Sequence, residues 1–283
     1  MNVKAYAKIN LGLHIVGKRQ DGFHNIETVF HRINLFDEIN IENSFDISIS
    51  CTDITIPSDN NNLCWKAAEL LRKELGMAKG VRIGITKNIP TGAGLGGGSS
   101  DAAAVLLALP LLWKIDVKRP IIEKLALQLG SDVPFFLQNS SAYAEGRGEV
   151  LKTIDLALPY WIVLIHPNIH LSTPWAYNRL AEKRNGLFPV RPNMAEQFSA
   201  DPIRAVLESE NDFEEIVFEE HPKIEKIKKQ LKDLGAAVSL MSGSGSSMFG
   251  LFIDKSTALS AAEFFKKEHF VHLTEPHFTL RQQ

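Results

Sequence analysis

Apolar and polar residues alternate at the start of the chain. Val3, Ala5, Ala7, Ile9, Leu11, Leu13 and Ile15 share one parity; Lys4, Tyr6, Lys8, Asn10, Gly12 and His14 share the other. A period of two belongs to a strand with one face in a core. It sets Lys8 and Asn10 on a common face, roughly 7 Å apart. On the pattern alone, a solvated face with an exposed lysine is the simpler reading. Asp21-Gly22 marks a turn, and TVFHRINL, DEINIE and FDISIS then read as strand segments between residues 24 and 50. Leu63, Ala67, Leu70, Leu71 and Leu75 fall on one side of a helix over 63–75, with Gly76 as its stop.

Val81, Ile83 and Ile85 alternate again, and the chain then enters PTGAGLGGGSSDAAA, residues 90–104. Five of the seven residues from Gly92 to Gly98 are glycine. Such density is costly inside a helix or strand and marks backbone that turns through positive φ or approaches something closely. Ser99, Ser100 and Asp101 suit a helix start, and Ala102 to Leu109 is a strong helix former. Strand, glycine loop and helix start together bring backbone N–H groups and a helix dipole to one spot, an anion site, with phosphate as the expected anion. A Walker A loop is excluded, because no lysine occurs between Pro90 and Lys114. Gly92, Gly94 and Gly97 match G-x-G-x-x-G, but without a βαβ unit and an acidic residue about 20 positions on, the match is weak. A flexible linker is the bland alternative; the flanking strand and helix argue against it.

A further helix is expected over 118–129, ending at Gly130, followed by LGSDVPFFL and by the strand-and-turn segment AYAEGRGEVL. Asp132 alone reads equally well as a turn aspartate. The mixed stretch Leu151 to Pro159 suggests a boundary, giving domains 1–157 and 158–283. Beyond it come the strand YWIVLIH, a helix capped by Ser172 or Thr173 with Pro174 in its first turn, and a polar loop or lid over 184–202. Helices near 203–209, 211–219 and 222–234, strands AVSLM and MFGLF, a helix over 256–268 and a last strand complete an α+β pattern. The run Ser242 to Ser247 between two strands fits a hairpin turn or a second wall beside a phosphate.

Composition adds exclusions. With 283 residues, 45% hydrophobic, 23% charged and a net charge of −2, the chain is an ordinary globular sequence with no bulk charge to favour nucleic acid or a membrane surface. Two cysteines, Cys51 and Cys64, make neither a disulfide scaffold nor a CxxC zinc site. MNVKAYAKIN lacks the apolar core of a signal peptide, and no run of about 18 apolar residues occurs. The expectation is a cytoplasmic protein, monomer or homodimer, without membrane or nucleic-acid partners.

Pro90 to Ser100 resembles the phosphate-binding motif of the GHMP kinases, Pro-x-Gly-x-Gly-Leu-Gly-x-Gly/Ser-Ser. AKINLGLHIVGKRQDGFHNIETVF at 7–30, LGSDVPFFL, AEGRGE and MSGSGSSMFG are similar, in the same order, to blocks of the branch that acts on 4-(cytidine 5′-diphospho)-2-C-methyl-D-erythritol. The resemblance covers essentially the whole chain. It implies a two-domain α+β fold: an N-terminal nucleotide-binding domain of the ribosomal protein S5 domain 2-like type and a C-terminal ferredoxin-like domain, with the active site in the cleft between them. The implied activity is ATP-dependent phosphorylation of that substrate's 2-hydroxyl, on the non-mevalonate route to isoprenoid precursors, with Mg²⁺ as cofactor.

By motif position the resemblance makes Lys8 and Asp132 a catalytic pair. It assigns the ATP phosphates to Pro90, Thr91, Gly92, Ala93, Gly94, Leu95, Gly96, Gly97, Gly98, Ser99 and Ser100; Ser100 is also a candidate metal ligand. Asn10, Phe23, His24, Thr173 and Tyr177 fall on the substrate side. Phe23 stands where a tyrosine is common and Tyr177 where a phenylalanine is common; stacking on a cytosine needs only the π-face. Two alternatives remain: another GHMP kinase, of the homoserine or mevalonate type, and a nucleotide-responsive binding protein that has lost catalysis.

Overall fold

The computed structural model describes residues 1–280. Two strands come first, β1 (Asn2–Lys18) and β2 (His24–Ser44), and they pair with each other. β2 is a single strand of 21 residues, longer than the segments expected, because no glycine or proline interrupts it. The chain forms two compact units. One contains Met1–Ala7, Leu35–Thr91 and Gly96–Asn139; the other contains Lys8–Asn34, Gly92–Leu95 and the chain from Ser140 onward. Both β1 and β2 therefore contribute residues to each unit.

In the first unit, β3 (Ile47–Cys51) and the helix α1 (Leu63–Glu74) lead to β4 (Gly80–Thr86), which runs parallel to β3 and antiparallel to the end of β2. The register sets Ile39 opposite Ile85 and Ile41 opposite Ile83, all four in the core. Asn62 caps α1, its side chain accepting the Cys64 N–H at 2.8 Å. After the glycine loop, α2 (Gly97–Trp113) begins two residues ahead of Ser99, with Gly96 as its cap. Val105, Leu106, Leu109 and Trp113 are buried, as in a helix that is apolar nearly all round. α2 packs on α1, on α3 (Arg119–Leu129) and on a 3₁₀ turn over Val133–Leu137.

In the second unit, the first half of β2 pairs antiparallel with β5 (Ser141–Glu145), and β5 with β6 (Val150–Ile154). β7 (Trp161–His166) leads to α4 (Thr173–Lys183), α5 (Met194–Ala200), α6 (Pro202–Leu207), α7 (Glu214–Glu220) and α8 (Pro222–Asp233). The chain closes with β8 (Val238–Met241), β9 (Met248–Phe252), α9 (Lys255–Phe265) and β10 (Phe270–Thr274). The antiparallel order β10-β7-β9-β8 is that of a ferredoxin-like sheet. Its core joins Val163 and Ile165 of β7 to Phe213, Ile216, Ile224 and Ile227 from the helices, with Leu13, Ile15 and Ile26 from β1 and β2. The stretch 184–202 is not loop throughout: α5 lies within it, capped by Asn193 and buried only through Met194 and Phe198, four apart on one face. The α+β class expected from the sequence is the class observed.

Candidate active site

The even face of β1 is not solvated in the second unit. Lys8 is 3% exposed and Asn10 2%. Burying an ammonium demands partners. Lys8 Nζ donates to Asn10 Oδ1 at 2.6 Å and lies 4.9 Å from the Phe30 ring centroid. Asn10 Nδ2 donates to Thr28 Oγ1 at 2.9 Å, and Thr28 passes its own proton to the carbonyl of Gly12 at 2.6 Å. The chain of donors leaves one polarity for each group, so the Asn10 amide is held with its oxygen toward the lysine.

The same network reaches the glycine loop. Lys8 N–H donates to the Leu95 carbonyl at 3.0 Å, Ser242 Oγ to that of Gly94 at 2.9 Å, and Ser247 N–H to that of Ala93 at 3.3 Å. Three successive carbonyls are thereby tied to protein donors. In a trans peptide the N–H that follows points opposite to its carbonyl. The amides of Gly94, Leu95 and Gly96 are accordingly turned away from the tied oxygens, the polarity an anion requires. Gly94 has φ +77°, and a methyl there would fall 2.0 Å from the Ser242 carbonyl oxygen, so no other residue fits. The serine run 242–247, left open as turn or wall, thus braces the loop. Within the loop Ala93, Leu95 and Ser100 are buried, Thr91, Gly92 and Gly98 are exposed, and Pro90, Gly94, Gly96, Gly97 and Ser99 lie between. Ser100 Oγ donates to the Tyr6 carbonyl at 2.7 Å.

A buried ion cluster in the first unit frames the two ends of the loop. Lys87 Nζ bonds Asp37 Oδ2, and lies 2.9 Å from Asp101 Oδ2. Asp37, fully buried, also accepts the N–H groups of Asn88 at 2.6 Å and Ile89 at 2.9 Å, just ahead of Pro90. Asp101 sits in the first turns of α2, just past the loop. Burial pushes its carboxyl up to about 8, although Lys87 pulls the other way, and its Oδ1 is buried without a partner. Burial disfavours the Lys87 ammonium, but Asp101 and Asp37 outweigh this and hold it above the ordinary lysine value.

Of the residues that the resemblance assigns to the substrate, His24 is 8% exposed and stacks on Tyr177 with ring centroids 5.1 Å apart at 22°. Phe188 meets His24 edge-on at 6.3 Å, and Phe213 meets Tyr177 edge-on at 4.9 Å. His24 Nε2 is buried without a hydrogen-bond partner. Burial, with the Lys18 charge adding to it, holds its imidazole below the usual histidine range. Phe23 is 55% exposed beneath the Arg147 guanidinium, 4.9 Å from its centroid. Thr173 opens α4, its Oγ1 2.9 Å from Ser244 Oγ. In the first unit, Asp132 is the residue preceding the 3₁₀ turn and is half-buried.

The structure thus gathers Lys8, Asn10, Phe23, His24, Gly92 to Leu95, Thr173 and Tyr177 in the second unit. Pro90, Thr91, Gly96 to Ser100 and Asp132 belong to the first. Sequence reasoning missed Thr28 and the cluster of Lys87, Asp37 and Asp101. Lys87, three residues before Pro90, was the one signal available, a charge at the end of a strand leading into the loop. Among the described residues, no helix is long and apolar enough to cross a membrane.

Sequence profiles describe the same architecture. The GHMP kinases N terminal domain matches residues 62–140, and the GHMP kinases C terminal domain matches 194–272. The chain belongs to the GHMP kinase family and is a small-molecule kinase. A 4-diphosphocytidyl-2-C-methyl-D-erythritol kinase of Chlorobium phaeobacteroides (strain BS1) is 46% identical over 283 residues, 99% of each chain. A crystal structure of 4-(cytidine 5′-diphospho)-2C-methyl-D-erythritol kinase superposes with a TM-score of 0.81 at 35% identity, covering 97% of this chain and 98% of that one. A homoserine kinase from Cytophaga hutchinsonii gives 0.71 at 18% identity, covering 97% and 95%, and shares the fold.

Proposed function

We propose that the chain transfers the γ-phosphoryl group of ATP to the 2-hydroxyl of 4-(cytidine 5′-diphospho)-2-C-methyl-D-erythritol, giving the 2-phosphate and ADP, on the non-mevalonate route to isoprenoid precursors. The activity named for relatives that align over the full length supports the choice of substrate. One observation carries the mechanistic reading: the buried Lys8 and the glycine loop are built as one piece, with three successive loop carbonyls tied back to protein donors.

Phosphoryl transfer asks the protein for in-line positioning and for neutralisation of charge on the phosphoryl oxygens. The amides from Gly94 to Gly96 and the first turn of α2 hold the ATP phosphates. Asp132 accepts the proton of the acceptor hydroxyl, and the Lys8 ammonium, aimed by Asn10, stabilises the developing negative charge. His24 offers Nε2 to an edge of the cytosine, and Tyr177 and Phe23 offer faces to its ring. Mg²⁺ takes most of its ligands from phosphate and water, so one protein hydroxyl fits it. By motif position Ser100 would supply that hydroxyl; its Oγ donates to the Tyr6 carbonyl, and the residue is 2% exposed. When bound, the ion supplies charge neutralisation between the phosphates.

A coupled ADP-release assay with the cytidine substrate, homoserine and mevalonate tests the reading. Turnover is expected with the first alone, and turnover with either of the others in its place overturns the substrate. Asp132→Asn should lower turnover by about 10²–10⁴-fold while ATP still binds; wild-type turnover in that variant removes Asp132 from the mechanism.

A further inference from the structure

Residues Ile169 to Thr173 connect β7 to α4, and the serine run pins them at both ends. Ser246 Oγ donates to the Ile169 carbonyl, and Thr173 Oγ1 meets Ser244 Oγ at 2.9 Å. Between them, a methyl on Gly245 would come within 2.9 Å of Leu171 Cδ1. The same run is fastened to the glycine loop through Ser247 N–H to Ala93 O and Ser242 Oγ to Gly94 O. Three segments, 92–95, 169–173 and 242–247, are thus interlocked within the second unit.

His170 is the residue that this bracing aims. Its neighbours Ile169 and Leu171 are anchored, while its own side chain is exposed. The imidazole lies directly against Gly92, the first glycine of the loop: a methyl there would fall 2.6 Å from Nδ1 and 2.7 Å from Cε1. Gly92 has φ +64°, so both its backbone conformation and this ring demand the missing side chain. A fixed backbone under an exposed imidazole, set on the rim of an anion site, places a hydrogen-bond donor where phosphate oxygens approach. Neutral imidazole offers one N–H and the protonated ring two, and either is matched to a polyanion.

We propose that His170 is a nucleotide-binding residue, its imidazole donating a hydrogen bond to a phosphate oxygen of ATP seated on the glycine loop. The proposal rests on the reading of that loop as the phosphate site. Neither Ser99 nor Ser100 substitutes for it, because both follow the loop, whereas His170 flanks the loop's entry.

Calorimetric titration of the full chain with ATP, ADP and AMP, for wild type, His170→Ala and His170→Gln, tests this. Removing one donor to a charged phosphate should weaken ATP binding about tenfold and leave AMP nearly unaffected. Glutamine, whose amide also donates, should recover part of the loss. Unchanged ATP affinity in the alanine variant overturns the proposal, as does equal weakening of ATP and AMP, which would mean general damage to the loop. If wild type binds AMP as tightly as ATP, the phosphates do not sit on the loop, and the underlying reading fails along with His170. The glutamine variant keeps the comparison valid should the alanine variant fold poorly.

Discussion

Replacing Asp37 by asparagine probes the ion cluster that frames the glycine loop. In the wild type Asp37 serves three donors: the Lys87 ammonium and the N–H groups of Asn88 and Ile89. Asparagine keeps an oxygen for the two amides but sets its own NH₂ toward Lys87, where donor meets donor. Losing one partner of a buried ion pair costs about 3–5 kcal/mol when the other charge is stranded. Here Lys87 is not stranded, because Asp101 lies 2.9 Å away. With the like charge of Asp37 gone, Asp101 ionises more readily and becomes the lysine's partner, so the expected loss at low pH is smaller, about 2–3 kcal/mol.

The pH dependence separates this account from simple loss of packing. Asp101 has a raised pKa, about 8 against the ordinary 3.8, so the folded wild type retains a proton that the unfolded chain gives up. That contribution is fully present below about pH 4 and is lost as pH rises through about 8, with a slope of at most about 1.4 kcal/mol per pH unit. Asp37→Asn takes away the upward push of Asp37 on the Asp101 carboxyl and so lessens the slope, while burial, the larger cause, remains. Urea unfolding of both proteins at pH 5.5, 7 and 8.5 should show the gap in stability narrowing by about 1 kcal/mol or more toward high pH. A gap that stays constant, or widens, refutes the account in which Asp37 helps to hold the Asp101 carboxyl up.

Gly94→Ala forces a methyl to 2.0 Å from the Ser242 carbonyl oxygen at φ +77°. It should cost more than tenfold in ATP affinity by titration, and normal binding would disprove the interlock of loop and serine run. Tyr177→Ala should raise KM for the cytidine substrate about tenfold while the KM for ATP holds within about twofold; equal effects contradict a base-stacking role. His31 is buried, its Nδ1 2.7 Å from Ser141 Oγ, and burial pulls its imidazole down to about 4. Its contribution to stability is complete above pH 6.5 and is lost as pH falls through about 4, about 3 kcal/mol in all. Acid unfolding of His31→Phe should lack that component, and an unchanged acid slope would show that His31 does not supply it.

Local pattern made most elements legible. Strict alternation marked β1 and β4, glycine stops marked the ends of α1, α3 and α8, and glycine density marked the loop between β4 and α2. What stayed hidden depends on residues far apart in the chain. Lys8 sits on a parity that reads as solvated, yet it is buried, because Ser242 reaches Asn10 across 232 positions. Asp37 and Lys87 are 50 residues apart, so nothing near either one announces the pair. β2 looked like shorter pieces because polar residues break its hydrophobic runs, although nothing in its backbone chemistry stops the strand. α5 escaped because a helix of seven residues with two apolar contacts has almost no periodicity to read.

The passage of β1 and β2 through both compact units has a consequence for dissection of the molecule. Neither unit is a contiguous length of chain, so a single cut liberates neither. A fragment beginning at residue 158 would carry Phe213, Ile216 and Ile224 but not Leu13, Ile15 and Ile26, which fill the same core. Such a fragment would expose that gap to water and recruit whatever apolar surface it met. Limited proteolysis should therefore yield nicked chains that hold together, with the first 34 residues still attached to the remainder.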